Sequence, residues 1–120
     1  MITRIFRVQI KPELRASFEK DFHEISIPLV KSHSGLASVS IGKPTKWAPD
    51  EYVMISRWKR AEDIENFVGK DWSQPLIPSG METYVVQCWV HHFEDFVEAT
   101  SALTRRRALT LAFRNYEVLL

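Results

Sequence analysis

The chain has 120 residues, 45% of them hydrophobic and 26% charged, and its formal net charge at pH 7 is +1. This length and apolar content suit one domain with its own core, and the near-neutral charge argues against a nucleic-acid footprint spread over the whole surface. The single cysteine, Cys88, cannot form an internal disulfide. The N-terminal residues lack the apolar stretch of a secretory signal, and no apolar run approaches the roughly 20 residues that span a bilayer. We therefore expect a cytoplasmic globular protein without a membrane span.

The first predicted element is a β-strand over residues 2–10, whose alternation separates a mixed face from an apolar one. Ile5, Arg7 and Gln9 share the mixed face. If the apolar face packs on helices, the mixed face points to the other side of the sheet. The apolar face consists of Phe6, Val8 and Ile10.

A helix is predicted from Glu13 to about Lys31, beginning next to Pro12, which suits a first turn because its missing N–H has no partner there. Pro28 is expected to bend or shorten the last turns, and residues 33–35 indicate where the helix stops. Steps of three and four residues place one apolar stripe along this helix. The stripe consists of Leu14, Phe18, Phe22, Ile25 and Leu29.

The rest of the domain is predicted to contain three more strands and one more helix. The strands cover residues 36–42, 51–59 and 83–96, and a short helix covers 60–68. The order strand, helix, strand, strand, helix, strand is the split βαβ arrangement of a ferredoxin-like α+β domain, with an antiparallel sheet and both helices on one face. We assign residues 1–96 to this domain.

The second face of such a sheet has no helix to cover it. It carries apolar residues here, and monomers rarely expose a large apolar area. An identical sheet packed on it would remove the problem, so we expect a homodimer that encloses a chamber between two sheets. The last strand exceeds the usual length of about five or six residues, which also makes it a candidate for pairing with another chain.

Residues 97–120 lie outside this domain, and their apolar spacing predicts a separate amphipathic helical tail. Two interpretations remain open for it. The tail docks on its own dimer, or it contacts a membrane surface or an acidic partner. The basic residues beside its apolar stripe are Arg105, Arg106, Arg107 and Arg114.

The order of elements over residues 2–96 resembles the antibiotic biosynthesis monooxygenase superfamily. The resemblance also rests on Lys11-Pro12-Glu13 after the first strand and on the run from Tyr52 through Trp58 to Ile64. It implies a dimeric α/β barrel. Members of this superfamily include cofactor-independent oxygenases of polycyclic phenols and heme-degrading enzymes, so the fold alone does not assign the reaction.

The heme-degrading branch carries an asparagine, a tryptophan and a histidine around the porphyrin. Alignment on this pattern places Ile5 where the asparagine would be and Phe67 where the tryptophan would be. No histidine occurs between Phe67 and Thr83, where the iron ligand is expected. Heme degradation is therefore disfavoured.

Arg7 and Gln9 are the first candidates for a site in the predicted chamber. The Arg7 guanidinium would stabilise an anionic substrate, and the Gln9 amide would help to orient it. Alternatively, Arg7 pairs with Glu94 or Asp95 across the dimer, because buried arginines are usually paired.

His91 and His92 are candidate general bases, since a histidine titrates near neutral pH. Adjacent residues of a strand point to opposite faces, so at most one of the two can face a given pocket. For the same reason they cannot chelate one metal ion, and no other histidine spacing suggests a metal site. The alternative for either histidine is a place at the surface or an interface.

Trp72 and Met81 lie in an aromatic and apolar loop that could wall a pocket for a flat ligand or plug the end of the sheet. With Trp58 they complete the candidate substrate-binding residues. The leading hypothesis is a cofactor-independent monooxygenase that acts on a phenolic or other aromatic small molecule. The alternative is a non-catalytic dimeric module that binds a small ligand or supports assembly. Neither requires a cofactor, a metal or a nucleic-acid partner.

Overall fold

A four-stranded antiparallel sheet with helices on one of its faces forms the frame of the computed structural model, which describes residues 1–96. The strands lie in the order β2-β3-β1-β4. The predicted ferredoxin-like fold is confirmed, whereas the tail predicted over 97–120 lies outside the described residues. The strands are β1 (Ile2–Ile10), β2 (Leu36–Gly42), β3 (Glu51–Trp58) and β4 (Val85–Glu94).

Strict alternation in the two central strands divides the sheet into a helix face and an open face. Every second residue of β3, from Tyr52 to Trp58, is buried under the helices, while the intervening residues are only partly buried. In β1 the buried residues are Arg4, Val8 and Ile10. The prediction that Phe6, Val8 and Ile10 share the helix side is confirmed, and one charged residue lies on that side with them.

The first helical region is not a single regular helix. A 3-10 turn (Pro12–Leu14) leads into helix α1 (Arg15–Asp21), a π-helical turn (Phe22–Ser26) follows, and helix α2 (Ile27–Lys31) completes the region. The N–H of Ile27 donates to the carbonyl of Phe22, five residues earlier. Pro28 explains the irregularity, because it has no N–H to donate and its ring would clash with the carbonyl of residue 24 in a regular α-helix.

The π-helical turn changes which residues face the sheet in the second half of this region. Phe18 and Phe22 are buried as predicted, but Ile25 and Leu29 are 42% and 37% exposed. The prediction that Ile25 and Leu29 continue the buried stripe is therefore wrong, because both side chains are exposed. The wider turn rotates the following residues, so Val30 is fully buried in their place.

Helix α3 (Ala61–Val68) packs against the other end of the sheet through Ile64, which is fully buried. A 3-10 turn, Glu82–Tyr84, then precedes β4. The last strand is therefore shorter than predicted, although at 10 residues it is still the longest of the four. No helix within residues 1–96 is long and apolar enough to cross a membrane.

Candidate functional site

A cavity of about 50 Å³ lies between the helix face of the sheet and the helices that cover it. Its wall is mainly aromatic and apolar. This cavity belongs to a single chain, and it lies on the opposite side of the sheet from the chamber predicted between two sheets. The side chains that dominate its wall are Phe6, Phe18, Phe22, Met54, Phe67 and Met81.

Several of these side chains reach the wall for reasons visible in the sequence. Phe6 and Met54 have the strand parity that faces the helices, and Phe18 and Phe22 are four residues apart on one helical face. The π-helical turn also brings Ser26 to the cavity. The loop between α3 and β4 closes the remaining side with Leu76, Ile77 and Pro78.

Among the described residues that line this cavity, Arg4 alone is charged, and it is only 3% exposed. Its Nη1 donates to the carbonyl oxygen of Trp72 at 2.9 Å, and its Nη2 donates to that of Gln74 at 3.2 Å. Nη1 also lies 2.9 Å from Nε2 of His92. Within residues 1–96 no carboxylate pairs with this guanidinium, so its charge is met by dipoles alone.

Burial affects the titration of both members of this pair. Loss of solvation lowers the pKa of Arg4 to about 10, which still leaves the guanidinium charged at neutral pH. The pKa of His92 is lowered, first by burial and then by the positive charges of Arg4 and His91. The His92 ring is therefore favoured in its neutral form and can accept the hydrogen bond from Arg4 at Nε2.

Arg7 faces the open side of the sheet, away from the cavity. Its Nε and Nη2 donate to the two oxygens of Glu51 at 2.8 and 2.9 Å, and its guanidinium carbon lies 4.8 Å from the centre of the Trp89 ring. Arg7 is thus paired with a carboxylate of its own chain, Glu51, whereas the alternative anticipated Glu94 or Asp95 across the dimer. Asp95, which was expected as a partner, instead pairs with Arg57.

Gln9 and His91 share this open face with Arg7, because they have the same parity in neighbouring paired strands. His92 lies on the helix side, where its ring also packs 5.3 Å from the ring of Trp72. The expectation that the two histidines point to opposite faces agrees with these positions. The structure brings His92 and Trp72 together near Arg4, and it does not bring Arg7, Gln9 or His91 to the cavity.

The other predicted binding residues have two different surroundings. Met81 lines the cavity and is 3% exposed. Trp58 is fully buried in the core, where it stacks on Phe67 at 5.2 Å and its Nε1 donates to Oγ of Ser56 at 2.9 Å. Trp58 therefore packs against Phe67, and Phe67 in turn lines the cavity.

Arg4 was absent from the sequence-based candidates although a signal for it existed. It has the same parity as Phe6, Val8 and Ile10, so a strand with these residues against the helices must bury Arg4 with them. Arg7 has the opposite parity, so it was a candidate for the chamber predicted between two sheets. The described residues contain no group of three or more histidine, cysteine or acidic side chains that could hold a metal ion.

An antiparallel βαββαβ domain with an aromatic cavity between sheet and helices defines the structural class of this chain. Its family follows from the sequence: residues 1–75 match the family model described as antibiotic biosynthesis monooxygenase. The chain belongs to that family. No curated protein matches its sequence.

Solved structures show the same fold at low sequence identity. Rv0793 from Mycobacterium tuberculosis is 14% identical, with a TM-score of 0.64 over 82% of this chain and 98% of the other. SnoaB, a cofactor-independent oxygenase from Streptomyces nogalater solved as a mutant, is 12% identical, with a TM-score of 0.64 over 83% and 97%. An MhuD mutant with two manganese protoporphyrin IX molecules per active site is 14% identical, with a TM-score of 0.61 over 84% and 100%.

A heme group does not fit the residues present at this cavity. No histidine is among the described residues that line it, so none of them offers an imidazole to the iron. Ile5, at the position aligned with the asparagine of the heme-degrading branch, has the parity of the open face. We derive no chemistry through heme for this chain.

Proposed function

We propose that this protein is a cofactor-independent monooxygenase that oxidises a phenolic or other aromatic small molecule in the cavity between its sheet and its helices. The observation that supports this most directly is Arg4, a buried guanidinium in an aromatic wall with no carboxylate partner among residues 1–96. Membership of the family is consistent with this activity. A cytoplasmic location remains part of the proposal.

The first task of such an enzyme is to favour the anionic form of its substrate. A phenol that places its oxygen beside Arg4 has its pKa lowered, because the fixed positive charge stabilises the phenolate. The low polarity of the aromatic wall strengthens this attraction. His92 accepts a hydrogen bond from Arg4 and so holds the guanidinium in place, and the displaced proton leaves through water.

The phenolate then supplies the electrons for the oxidation. It reduces dioxygen, a carbon–oxygen bond forms at a ring carbon, and one oxygen atom is retained in the quinone product. The other oxygen atom leaves as water with the two hydrogens lost from the phenol. One phenol and one dioxygen therefore give one quinone and one water, with no external reductant.

The homodimer is the second part of the proposal. The open face carries partly buried or exposed apolar side chains of the three strands β1, β3 and β4. Face-to-face packing of two such sheets would bury them together. The apolar members of this face are Ile5, Val53, Ile55, Trp89 and Phe93.

Arg7, Gln9 and His91 would lie inside that dimer interface, so their role on a substrate stays a prediction. Two variants separate the two possible sites. Arg4→Gln removes the charge at the cavity, and Arg7→Gln removes the charge on the open face. Loss of activity in the first variant supports the cavity, whereas selective loss in the second would move the site to the interface.

The activity itself is tested by oxygen uptake. Purified protein treated with a chelator is mixed with a panel of anthrones, naphthols and hydroquinones, and oxygen consumption is recorded with quinone formation. We expect equal molar amounts of oxygen consumed and quinone formed above the uncatalysed rate. Binding without any oxygen uptake across the panel would favour the alternative, a non-catalytic ligand-binding module.

A further inference from the structure

We propose that the cavity selects planar aromatic ligands that carry an anionic oxygen, and that Arg4 is the residue that makes this selection. This inference rests on the proposed function for the location of the ligand, and it narrows the substrate class to aromatic acids and acidic phenols. It concerns binding, so it can be tested separately from turnover.

The described residues use only some of the N–H donors of Arg4. A guanidinium has five N–H groups, and three of them donate to Trp72, Gln74 and His92. Among the described residues no acceptor contacts Nε–H or the second Nη2–H. Adjacent Nε and Nη2 donors match the two oxygens of a carboxylate, which is the strongest geometry for such a pair.

The other polar side chains among the described residues of the cavity wall are the hydroxyls of Ser26 and Ser56, and each has a hydrogen-bond partner within the protein. Oγ of Ser26 lies against Sδ of Met81 at 3.3 Å. Oγ of Ser56 accepts the hydrogen bond from Trp58 at 2.9 Å. Both hydroxyls are neutral, so Arg4 is the charged donor that a ligand oxygen meets in this cavity, and the hydrophobic surroundings favour a ligand that neutralises the charge.

The loop over residues 70–79 covers part of the cavity and is hydrogen-bonded to the same guanidinium, so ligand entry involves Arg4. Two hydrogen bonds fasten this loop to the sheet within the described part of the chain, and both come from Arg4. A cavity of roughly 150 Å³ is known to hold benzene, whereas this one measures about 50 Å³. A ring can enter once the loop moves outward, and an anionic group can replace the loop carbonyls on Arg4 as it does so.

The test compares 2-naphthoate with its neutral analogue 2-naphthamide on the full chain. Binding is measured by calorimetry, and the site is located by NMR shifts of the Met54 and Met81 methyl groups. We expect naphthoate to bind about ten to a hundred times more tightly than naphthamide, since hydrogen bonds to charged groups are the stronger ones. Arg4→Gln should reduce this preference to nearly nothing, and Arg4→Lys should retain part of it.

Lys59→Gln is the matched control, because it removes one positive charge from an exposed position. It should leave the preference unchanged. Equal affinity for the two ligands in the wild-type protein overturns the inference, as does a preference that survives Arg4→Gln or shifts confined to residues outside the cavity. If Arg4→Gln fails to fold, the affinities of the wild-type protein and of Arg4→Lys for the two ligands still test the inference. Naphthoate selectivity without oxygen uptake by any phenol would uphold the inference and reject the proposed activity.

Discussion

Arg4 and His92 face each other across the β1–β4 pairing, with Nη1 of the arginine 2.9 Å from Nε2 of the histidine. Because a guanidinium remains protonated, Nη1 is the donor and Nε2 must be unprotonated. The imidazole proton is therefore on Nδ1, and the ring is neutral. Protonation of His92 would place two cations in contact and break this hydrogen bond.

The first prediction is a loss of stability on acidification that depends on His92. Its pKa in the folded chain lies below the unfolded value of 6.5, chiefly because of burial. The unfolded chain then binds more protons than the folded chain in this range, so stability is fully present above pH 6.5 and falls as pH drops through the folded pKa. Because the ring is half-buried, the loss should stay near or below about 1 kcal/mol.

Urea denaturation at pH 7.5 and at pH 5 measures this effect. His92→Gln keeps an acceptor for Arg4 and removes the titrating ring, so its stability should change less between the two pH values than that of the wild-type protein. His91→Gln on the open face is the control and should behave like the wild type. An unchanged pH dependence in His92→Gln would reject the assignment.

The sequence predicted the fold well because strand parity and helical periodicity report directly on burial. The faces of β1 and β3 followed from alternation alone. The misplaced stripe after Phe22 had a different origin: a π-helical turn shifts the facing residues by one position, and Pro28 indicated a bend without giving its form. Periodicity assumes a regular helix, so it cannot locate such a shift.

The site was predicted less well because it depends on distances across the fold. Parity places Arg4 on the helix side, yet it does not reveal that no carboxylate within residues 1–96 pairs with it. Arg7 was a reasonable candidate by composition, and its partner Glu51 is 44 residues away in the chain. His92, Trp72 and Met81 were candidates by residue type and position, and only the packed structure shows that His92 and Trp72 contact Arg4 while Met81 lines the same cavity.

The second prediction assigns Trp58 to the core. Trp58→Phe removes the Nε1 donor from Oγ of Ser56, and both residues are almost completely buried. A buried hydroxyl that loses its partner and a slightly smaller ring should together cost about 1–3 kcal/mol in the free energy of unfolding. Trp47→Phe at an 84% exposed position is the matched control and should change stability by less than about 0.5 kcal/mol. A large loss of ligand affinity in Trp58→Phe without destabilisation would instead support direct contact with the ligand.

The third prediction concerns the homodimer. Phe93 lies on the open face and is 56% exposed in the single chain. In a face-to-face dimer Phe93→Glu would bury two unpaired carboxylates, so sedimentation velocity should show mainly monomer at concentrations where the wild-type protein is dimeric. Trp47→Glu in the β2–β3 loop serves as the control and should remain dimeric. A wild-type chain that sediments as a monomer at all concentrations would contradict the proposed dimer.

The fourth prediction tests the packing of Gly35 against the start of α3. A Cβ at Gly35 would overlap the side chain of Asp63, whose Oδ2 accepts the hydrogen bond from the Arg60 N–H at 3.1 Å. Gly35→Ala should therefore displace this capping carboxylate and lower the free energy of unfolding by about 1–3 kcal/mol, measured in urea. Ser34→Ala, at the neighbouring exposed position, should have little effect. The decisive comparison is Gly35→Ala in an Asp63→Gly background: with no side chain left to displace, the alanine should cost clearly less there, and an undiminished cost would place the clash elsewhere.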